Sequence, residues 1–316
     1  MREVRVDAFT NNMIIIVKDR DKRPIDTKIC QKDIESKNMY EEKCPFCKGN
    51  ENYTTESTFE VIEEDNWVAK SVYNKYPILD ENSLEIYGIH EVIIDTYRHN
   101  GSFYDMSEKE FYNMFKVYQN RYKKLIENNK VKYVSIFKNF LSKAGASLSH
   151  PHSQIIAMSI IPKDILNEIN ILENYYIEKN ESLYEKTIYE EINIKERLVF
   201  NGDKFIVLIP YASMYSGEIR IICKDNTKFE DLGENNIEEL SRIFKNVFKQ
   251  IYNVCGYMPF NLCMHTHYKD MKNDNLLNIH FHIIPRNYNF GGFEIGNGVY
   301  VTSKTPEEFA KKLYFE

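Results

Sequence analysis

Hydrophobic and polar positions along this chain switch between two periods, and they do so in the same order twice. Alternation with a period of two marks a half-buried strand, and apolar positions three and four apart mark an amphipathic helix. Strand patterns run through 67–74 and 90–95, and a helix pattern follows from Ser107 to Asn129. Ser107 with Glu110 three residues on has the spacing of a capping box. Further strands are predicted over Tyr133 to Asn139 and 150–157. The second half repeats the series: strands over Phe205 to Pro210 and Glu218 to Cys223, an amphipathic helix from about Ile237 to Val254, and strands over Asn261 to Met264 and Asn278 to Arg286. Each half closes on a His-x-His strand, His150–His152 and His280–His282. The order of elements therefore reads as a pseudo-duplication. Residues 161–200 form a helical connector between an N-terminal half, 1–160, and a C-terminal half, 201–316. Thr305-Pro306 opens a last helix, with threonine as cap and proline in the first turn.

This pattern gives an α+β fold in which each half is an antiparallel sheet with helices packed on it. Such half-sheets are better stabilised when joined edge to edge or across a dimer. Composition agrees: the chain has 316 residues, 43% of them hydrophobic, and 23 Tyr and 19 Phe against 12 Gly favour extended, aromatic-lined strands. A net charge of −6 argues against a nucleic-acid backbone as the main partner. The N-terminus lacks the apolar core of a signal peptide and no segment approaches the length of a membrane span, so a cytoplasmic protein is expected.

The most informative stretch is His150-Pro151-His152-Ser153-Gln154. In an extended segment His150, His152 and Gln154 share one face, against which a phosphate could sit. A neutral imidazole attacks phosphorus without a base to strip a proton, provided its other nitrogen already carries the only N–H. Gln154 offers an amide donor to a phosphoryl oxygen and no acidic proton, which suits transfer better than hydrolysis. The same residues would also suit a strand whose histidines are merely buried and hydrogen-bonded.

Six cysteines are present, and Cys44-Pro45-Phe46-Cys47 has the knuckle spacing of a zinc site. The same four residues could form a redox pair, but no thioredoxin-like pattern surrounds them, which favours zinc.

Taken in order, Arg20-Asp21-Lys22-Arg23-Pro24, the Cys44–Cys47 knuckle, Asn74-Lys75-Tyr76-Pro77, Phe137-Lys138-Asn139, Gly145-Ala146-Ser147, the His150–Gln154 stretch and Gly292 to Tyr300 resemble the galactose-1-phosphate uridylyltransferases. These form the transferase branch of the histidine-triad superfamily, and the resemblance covers nearly the whole chain. It implies two histidine-triad-like halves and a nucleotidyltransferase that moves UMP from a UDP-hexose to a hexose 1-phosphate through a covalent nucleotidyl-histidine. His152 matches the nucleophile and Gln154 the residue that bonds the phosphoryl oxygens. Cys44, Cys47, His99 and His150 match a zinc site, for which His90 is a rival that more readily packs or bonds locally. Glu168, His265, His280 and His282 match a second metal site, iron or zinc, found in some members, and His267 is an extra candidate that reads as an exposed loop residue. Arg20 and Arg23 match phosphate contacts; Asn74, Asn139 and Ser147 match nucleotide contacts; Glu294 matches a sugar contact often supplied by a partner subunit. The implied partners are a nucleotide-sugar and a sugar 1-phosphate, in a homodimer with no nucleic acid or membrane.

One departure bears on the base. Lys75 follows Asn74 where relatives carry an acidic residue, which leaves the uracil contact open. The alternatives are an ADP-sugar or dinucleoside polyphosphate phosphorylase of the same superfamily, or a non-catalytic nucleotide-binding protein.

Overall fold

The computed structural model describes residues 2–18 and 38–316. The strands in chain order are β1 (Arg2–Val6), β2 (Met13–Val17), β3 (Ser57–Glu63), β4 (Asn66–Tyr73), β5 (Gly88–Ile94), β6 (Tyr133–Phe140), β7 (His152–Met158), β8 (Leu198–Asn201), β9 (Phe205–Leu208), β10 (Ile219–Cys223), β11 (Phe260–His265), β12 (His280–Pro285) and β13 (Val299–Thr302). The helices are α1 (Glu108–Ile126), α2 (Lys163–Lys179), α3 (Leu183–Ile194), α4 (Glu234–Cys255), α5 (Gly292–Asn297) and α6 (Pro306–Leu313).

The α+β expectation holds, and the half-sheets join edge to edge. Ten strands form one antiparallel sheet in the order β3-β4-β5-β7-β6-β11-β12-β10-β9-β8. The seam is β6 against β11, where Phe137 faces Cys263 and Asn139 faces Asn261. Joining there leaves no unpaired edge in the middle of the molecule, where a bare ladder would otherwise invite association. A second sheet of three strands sets the β1–β2 hairpin beside β13, with β13 parallel to β2.

Alternation along the central strands gives the sheet two chemically different faces. Ile136 of β6, Ile155 and Ala157 of β7, Leu262 of β11, Phe281 and Ile283 of β12 and Ile221 of β10 belong to one core under α1 and α4. In that core Phe111, Phe115, Phe244, Phe248 and Phe281 are wholly buried. Ring pairs such as Phe115–Phe244, at 4.9 Å and nearly perpendicular, link the two helices. Burial of each phenyl ring contributes about 1.5–3 kcal/mol. The intervening residues, among them His152, Gln154, Asn139, Asn261, Cys263, His265, His280 and His282, project to the opposite face. The connector is two helices; α2 and α3 cover the C-terminal part of this face through Ile165, Ile169, Leu172, Leu183, Tyr184 and Ile188. The chemistry-bearing face over β5, β7 and β6 is left open to ligand.

The helix ends follow their sequence signals where side chains reach. Ser107 accepts from the Glu110 N–H and Glu110 bonds back to Ser107 N–H, completing the capping box. Thr305 takes the cap position of α6 with Pro306 behind it, but makes no side-chain cap bond. None of the helices among the described residues is long and apolar enough to cross a membrane.

Candidate active site

The first His-x-His strand starts later than its periodicity suggests. Strand β7 begins at His152, so His150 lies just before it, outside the ladder that carries His152 and Gln154. The intervening proline donates no ladder hydrogen bond. The consequence is chemical: the two imidazoles point to different tasks.

His150 turns to the cysteine knuckle. Its Nδ1 lies 3.6 Å from Cys44 Sγ and 3.7 Å from Cys47 Sγ, and His99 Nδ1 lies 3.4 Å from Cys47 Sγ. Two sulfurs and two ring nitrogens thus sit within 4.8 Å of one another, all from buried residues. The outer nitrogens are occupied: His150 Nε2–H donates to the Thr96 carbonyl at 2.9 Å, and His99 Nε2 lies 3.3 Å from Ser149 Oγ. That leaves an unprotonated Nδ1 on His150 facing the sulfurs, the arrangement a tetrahedral metal site requires. Burial pushes the Cys44 thiol up to about 12 and the His150 imidazole down to about 3. Neutral donors packed without a counter-charge are what a bound dication would convert to ligands. The donor set fits a metal, and this thiolate–imidazole chemistry suits zinc.

His152 stays with the strand. Its Nδ1 lies 2.8 Å from the His150 carbonyl, which can only accept, so Nδ1 carries the proton and Nε2 keeps its lone pair. Burial, then the nearby Lys138 charge, holds this imidazole below its ordinary value and therefore neutral. The ring is 7% exposed and stands in the wall between two cavities of about 330 and 170 Å³. Asn139 and Ser147 line the larger cavity; Phe46, Tyr73, Asn74, Tyr76, Ser147 and Gln154 line the smaller. Phe46, from the middle of the knuckle, places its ring 5.4 Å from that of His152, so the cysteine loop also lines the smaller cavity.

All three carbonyls of His-Pro-His are engaged. His150 O accepts from His152 Nδ1, Pro151 O from the Asp95 N–H at 3.1 Å, and His152 O from Lys138 Nζ at 2.9 Å. Lys138 is itself paired with Asp95 at 2.7 Å, both being fully enclosed. Burial lowers the Lys138 ammonium, and the Asp95 charge partly offsets this. Lys138→Met would strand the Asp95 carboxylate in the interior, so we predict a loss of about 3–5 kcal/mol in urea denaturation. Adding Asp95→Asn should recover part of it, and a single variant as stable as wild type would show that the pair is not needed.

A second cluster lies beyond the seam. His265, His280 and His282 bring one ring nitrogen each within 4.8 Å of one another. Glu168 of α2 joins them: its Oε2 lies 2.9 Å from His265 Nδ1, and its Oε1 lies 3.6 Å from His280 Nε2 and accepts from Tyr184 OH at 2.6 Å. Burial would raise the Glu168 carboxyl, but His280, His265 and Tyr184 hold it well below its usual range. His280 Nδ1–H donates to Asn278 O at 2.9 Å, and His282 Nδ1–H to Glu218 at 2.7 Å, which Arg220 pairs at 2.9 Å. Each ring therefore presents Nε2 as an acceptor. His282 Nε2 is buried with no hydrogen-bond partner, an orphaned acceptor that a cation would satisfy. Three imidazoles and a carboxylate suit iron or zinc alike.

The remaining residues are placed as follows. Arg20 and Arg23 lie outside the described residues. Glu294 accepts from the Gly291 N–H at 2.9 Å, capping its own short helix, and it lines neither cavity beside His152. His267 is not an exposed loop residue: it is 5% exposed, and its Nε2–H donates to the Asp274 carbonyl at 2.9 Å. Periodicity gave no sign of Asp95 or Glu218, which act on the site only through residues distant in sequence.

Residues 1–162 match the model described as galactose-1-phosphate uridyl transferase, N-terminal domain, and residues 86–315 match a domain of unknown function, DUF4921. An ADP-glucose phosphorylase of Arabidopsis thaliana is 28% identical over 98% of this chain and 92% of its own. A galactose-1-phosphate uridylyltransferase of Thermotoga maritima is 25% identical over 99% of this chain and 98% of its own. The crystal structure of an ADP-glucose phosphorylase from Arabidopsis thaliana with bound ADP-glucose superposes with a TM-score of 0.87 at 27% identity, covering 99% of this chain and 98% of that one. Because the matching model spans the knuckle, His99 and the whole of β7, over half the sequence, the chain belongs to the galactose-1-phosphate uridyl transferase family.

Proposed function

We propose that this protein transfers a nucleoside monophosphate by way of His152, taking it from a nucleoside-diphosphate sugar, with adenine as the base of the donor. One observation carries the covalent step: His152 has its proton fixed on Nδ1 by the His150 carbonyl while its ring stands between two cavities. Nε2 attacks the α-phosphorus, and the bond to the sugar 1-phosphate breaks. The leaving group departs as a phosphate, so no strong general acid is required. The His150 carbonyl then faces an imidazolium N–H, which favours the charged intermediate. An acceptor phosphate attacks the same phosphorus in the second step and restores Nε2.

Gln154 and Ser147 are assigned to the nonbridging oxygens, where donors aimed at developing charge contribute most. The base is assigned to the smaller cavity, whose Phe46, Tyr73 and Tyr76 offer aromatic faces and Asn74 a polar edge. Asn139 and Arg20 with Arg23 remain assigned to the nucleotide and phosphates. Glu294, apart from both cavities in a single chain, is assigned to the sugar across a homodimer. Cys44, Cys47, His99 and His150 would hold zinc, whose part is to pin the loop ahead of the nucleophile. Glu168, His265, His280 and His282 would hold the second metal.

Adenine is supported by the Arabidopsis relative, whose structure holds ADP-glucose, while Lys75 after Asn74 leaves the uracil contact open. Uridylyl transfer to a hexose 1-phosphate is the second reading, supported by the family model and the Thermotoga relative. Incubation with radiolabelled ADP-glucose and, separately, UDP-glucose decides between them. We expect an acid-labile, base-stable adduct from ADP-glucose, discharged by inorganic phosphate. A UDP-glucose adduct discharged by galactose 1-phosphate would replace the adenylyl reading, and labelling by neither would remove both.

A further inference from the structure

We propose that His90 is a positioning residue that fixes which end of the Gln154 amide faces the bound phosphate. The inference rests on the role given to Gln154 above. His90 lies on β5, where Val92 sits directly opposite Gln154 and His90 is its diagonal neighbour on the same face. The ring is 4% exposed and both its nitrogens are engaged. Nδ1 lies 3.1 Å from the Ile78 backbone N–H, which can only donate, so Nδ1 must accept and the ring proton sits on Nε2. Nε2 is 2.9 Å from Gln154 Oε1 and therefore donates to it. The Gln154 carbonyl is thereby turned to the wall, and its NH₂ remains for the cavity that the residue lines.

This matters because a glutamine amide is nearly symmetric in shape but opposite in charge at its two ends. The terminal torsion has no strong preference of its own. Reversed, it would present a carbonyl oxygen to the phosphoryl oxygens. The Nε2–H of His90 disfavours that reversal, since two donors would then meet. Asn74 is tied to the same device. Its backbone N–H donates to His90 O at 2.8 Å, and its Oδ1 accepts from the Tyr76 N–H at 2.8 Å. Its amide nitrogen comes within 3.2 Å of the same His90 Nε2, a contact between two donors that the backbone bonds of Asn74 hold in place. One backbone N–H, that of Ile78, thus orients the Gln154 amide through a single imidazole, while the Tyr76 N–H orients that of Asn74.

The test compares His90→Leu, which removes the donor, with His90→Gln, which keeps one. With metal content unchanged, His90→Leu is expected to lower kcat about 10-fold with little change in KM, and His90→Gln to stay within about 3-fold of wild type. In a Gln154→Leu background His90→Leu should cost nothing further. Wild-type kcat in His90→Leu, or an equal loss with and without Gln154, would overturn the assignment. A substrate-free measurement stands apart from the proposed reaction: ¹⁵N-histidine spectra of the wild-type protein should show His90 as the neutral Nε2–H tautomer. The Nδ1–H tautomer would overturn it even if no variant folds and no nucleotide labels His152.

Discussion

His152→Ala is expected to give a folded, metal-loaded protein that takes up no nucleotide label and turns over at least on the order of 10⁴-fold more slowly. The reasoning is local. The imidazole supplies the only described ring nitrogen that combines an open lone pair, a fixed proton on its other nitrogen and a place in the wall of both cavities. No neighbour can substitute: His150 spends both nitrogens on the cysteine cluster and on Thr96 O, and His90 spends both on Ile78 N–H and Gln154. The structural cost is modest by comparison, one hydrogen bond and the contact with Phe46, about 1–3 kcal/mol. Steady-state rates, adduct counting and thermal unfolding check the separation. Residual labelling near the wild-type rate would move the nucleophile elsewhere.

Cys47→Ser is expected to do the opposite, damaging stability first and activity through it. Cys47 Sγ is central to the cluster, lying within 3.4 Å of His99 Nδ1 and 3.7 Å of His150 Nδ1, and it also accepts the Glu41 N–H at 3.3 Å. A hydroxyl cannot replace a thiolate as a zinc ligand, so the variant should lose its bound metal. The binding energy of such sites contributes directly to folding, and here it closes residues 41–50 onto His99 and His150. We expect a loss of about 3–5 kcal/mol, a fall in Tm of roughly 10 °C. Because His150 precedes the nucleophile by two residues and Phe46 touches its ring, labelling should slow by about 10–100-fold. Metal analysis and calorimetry decide; full metal content with unchanged Tm would refute a structural role.

How much of this was legible beforehand depends on the range over which each residue acts. The capping box at Ser107 and Glu110, the α1 and α4 helices and the central strands were readable because they rest on neighbours within a few positions. Strand β3 was not, because bulges at Ser57/Phe59 and Val61/Ile62 break its alternation. The β1–β2 hairpin went unread because its stabilising partner, β13, lies at the far end of the chain. At the site, residue types and spacing brought out Cys44, Cys47 and the two His-x-His pairs, and the family resemblance added His99, Glu168 and His265; the structure gathers them, His152 apart, into two clusters. Backbone geometry was less readable. The switch from loop to strand at Pro151 separates the tasks of His150 and His152, and closure of the 267–274 loop buries His267. Orienting partners such as Asp95 and Lys138, 43 positions apart, or Glu218 and His282, 64 apart, have no local signature at all.

The proposed reaction turns on a phosphorus–nitrogen bond at His152. Rapid-quench mixing with the preferred nucleotide-sugar, neutral-to-alkaline digestion and tandem mass spectrometry would locate it directly. One nucleoside monophosphate is expected on the peptide carrying His152, formed and discharged at rates compatible with turnover. Turnover with that peptide unmodified, or with the nucleotide on a different residue, would contradict it.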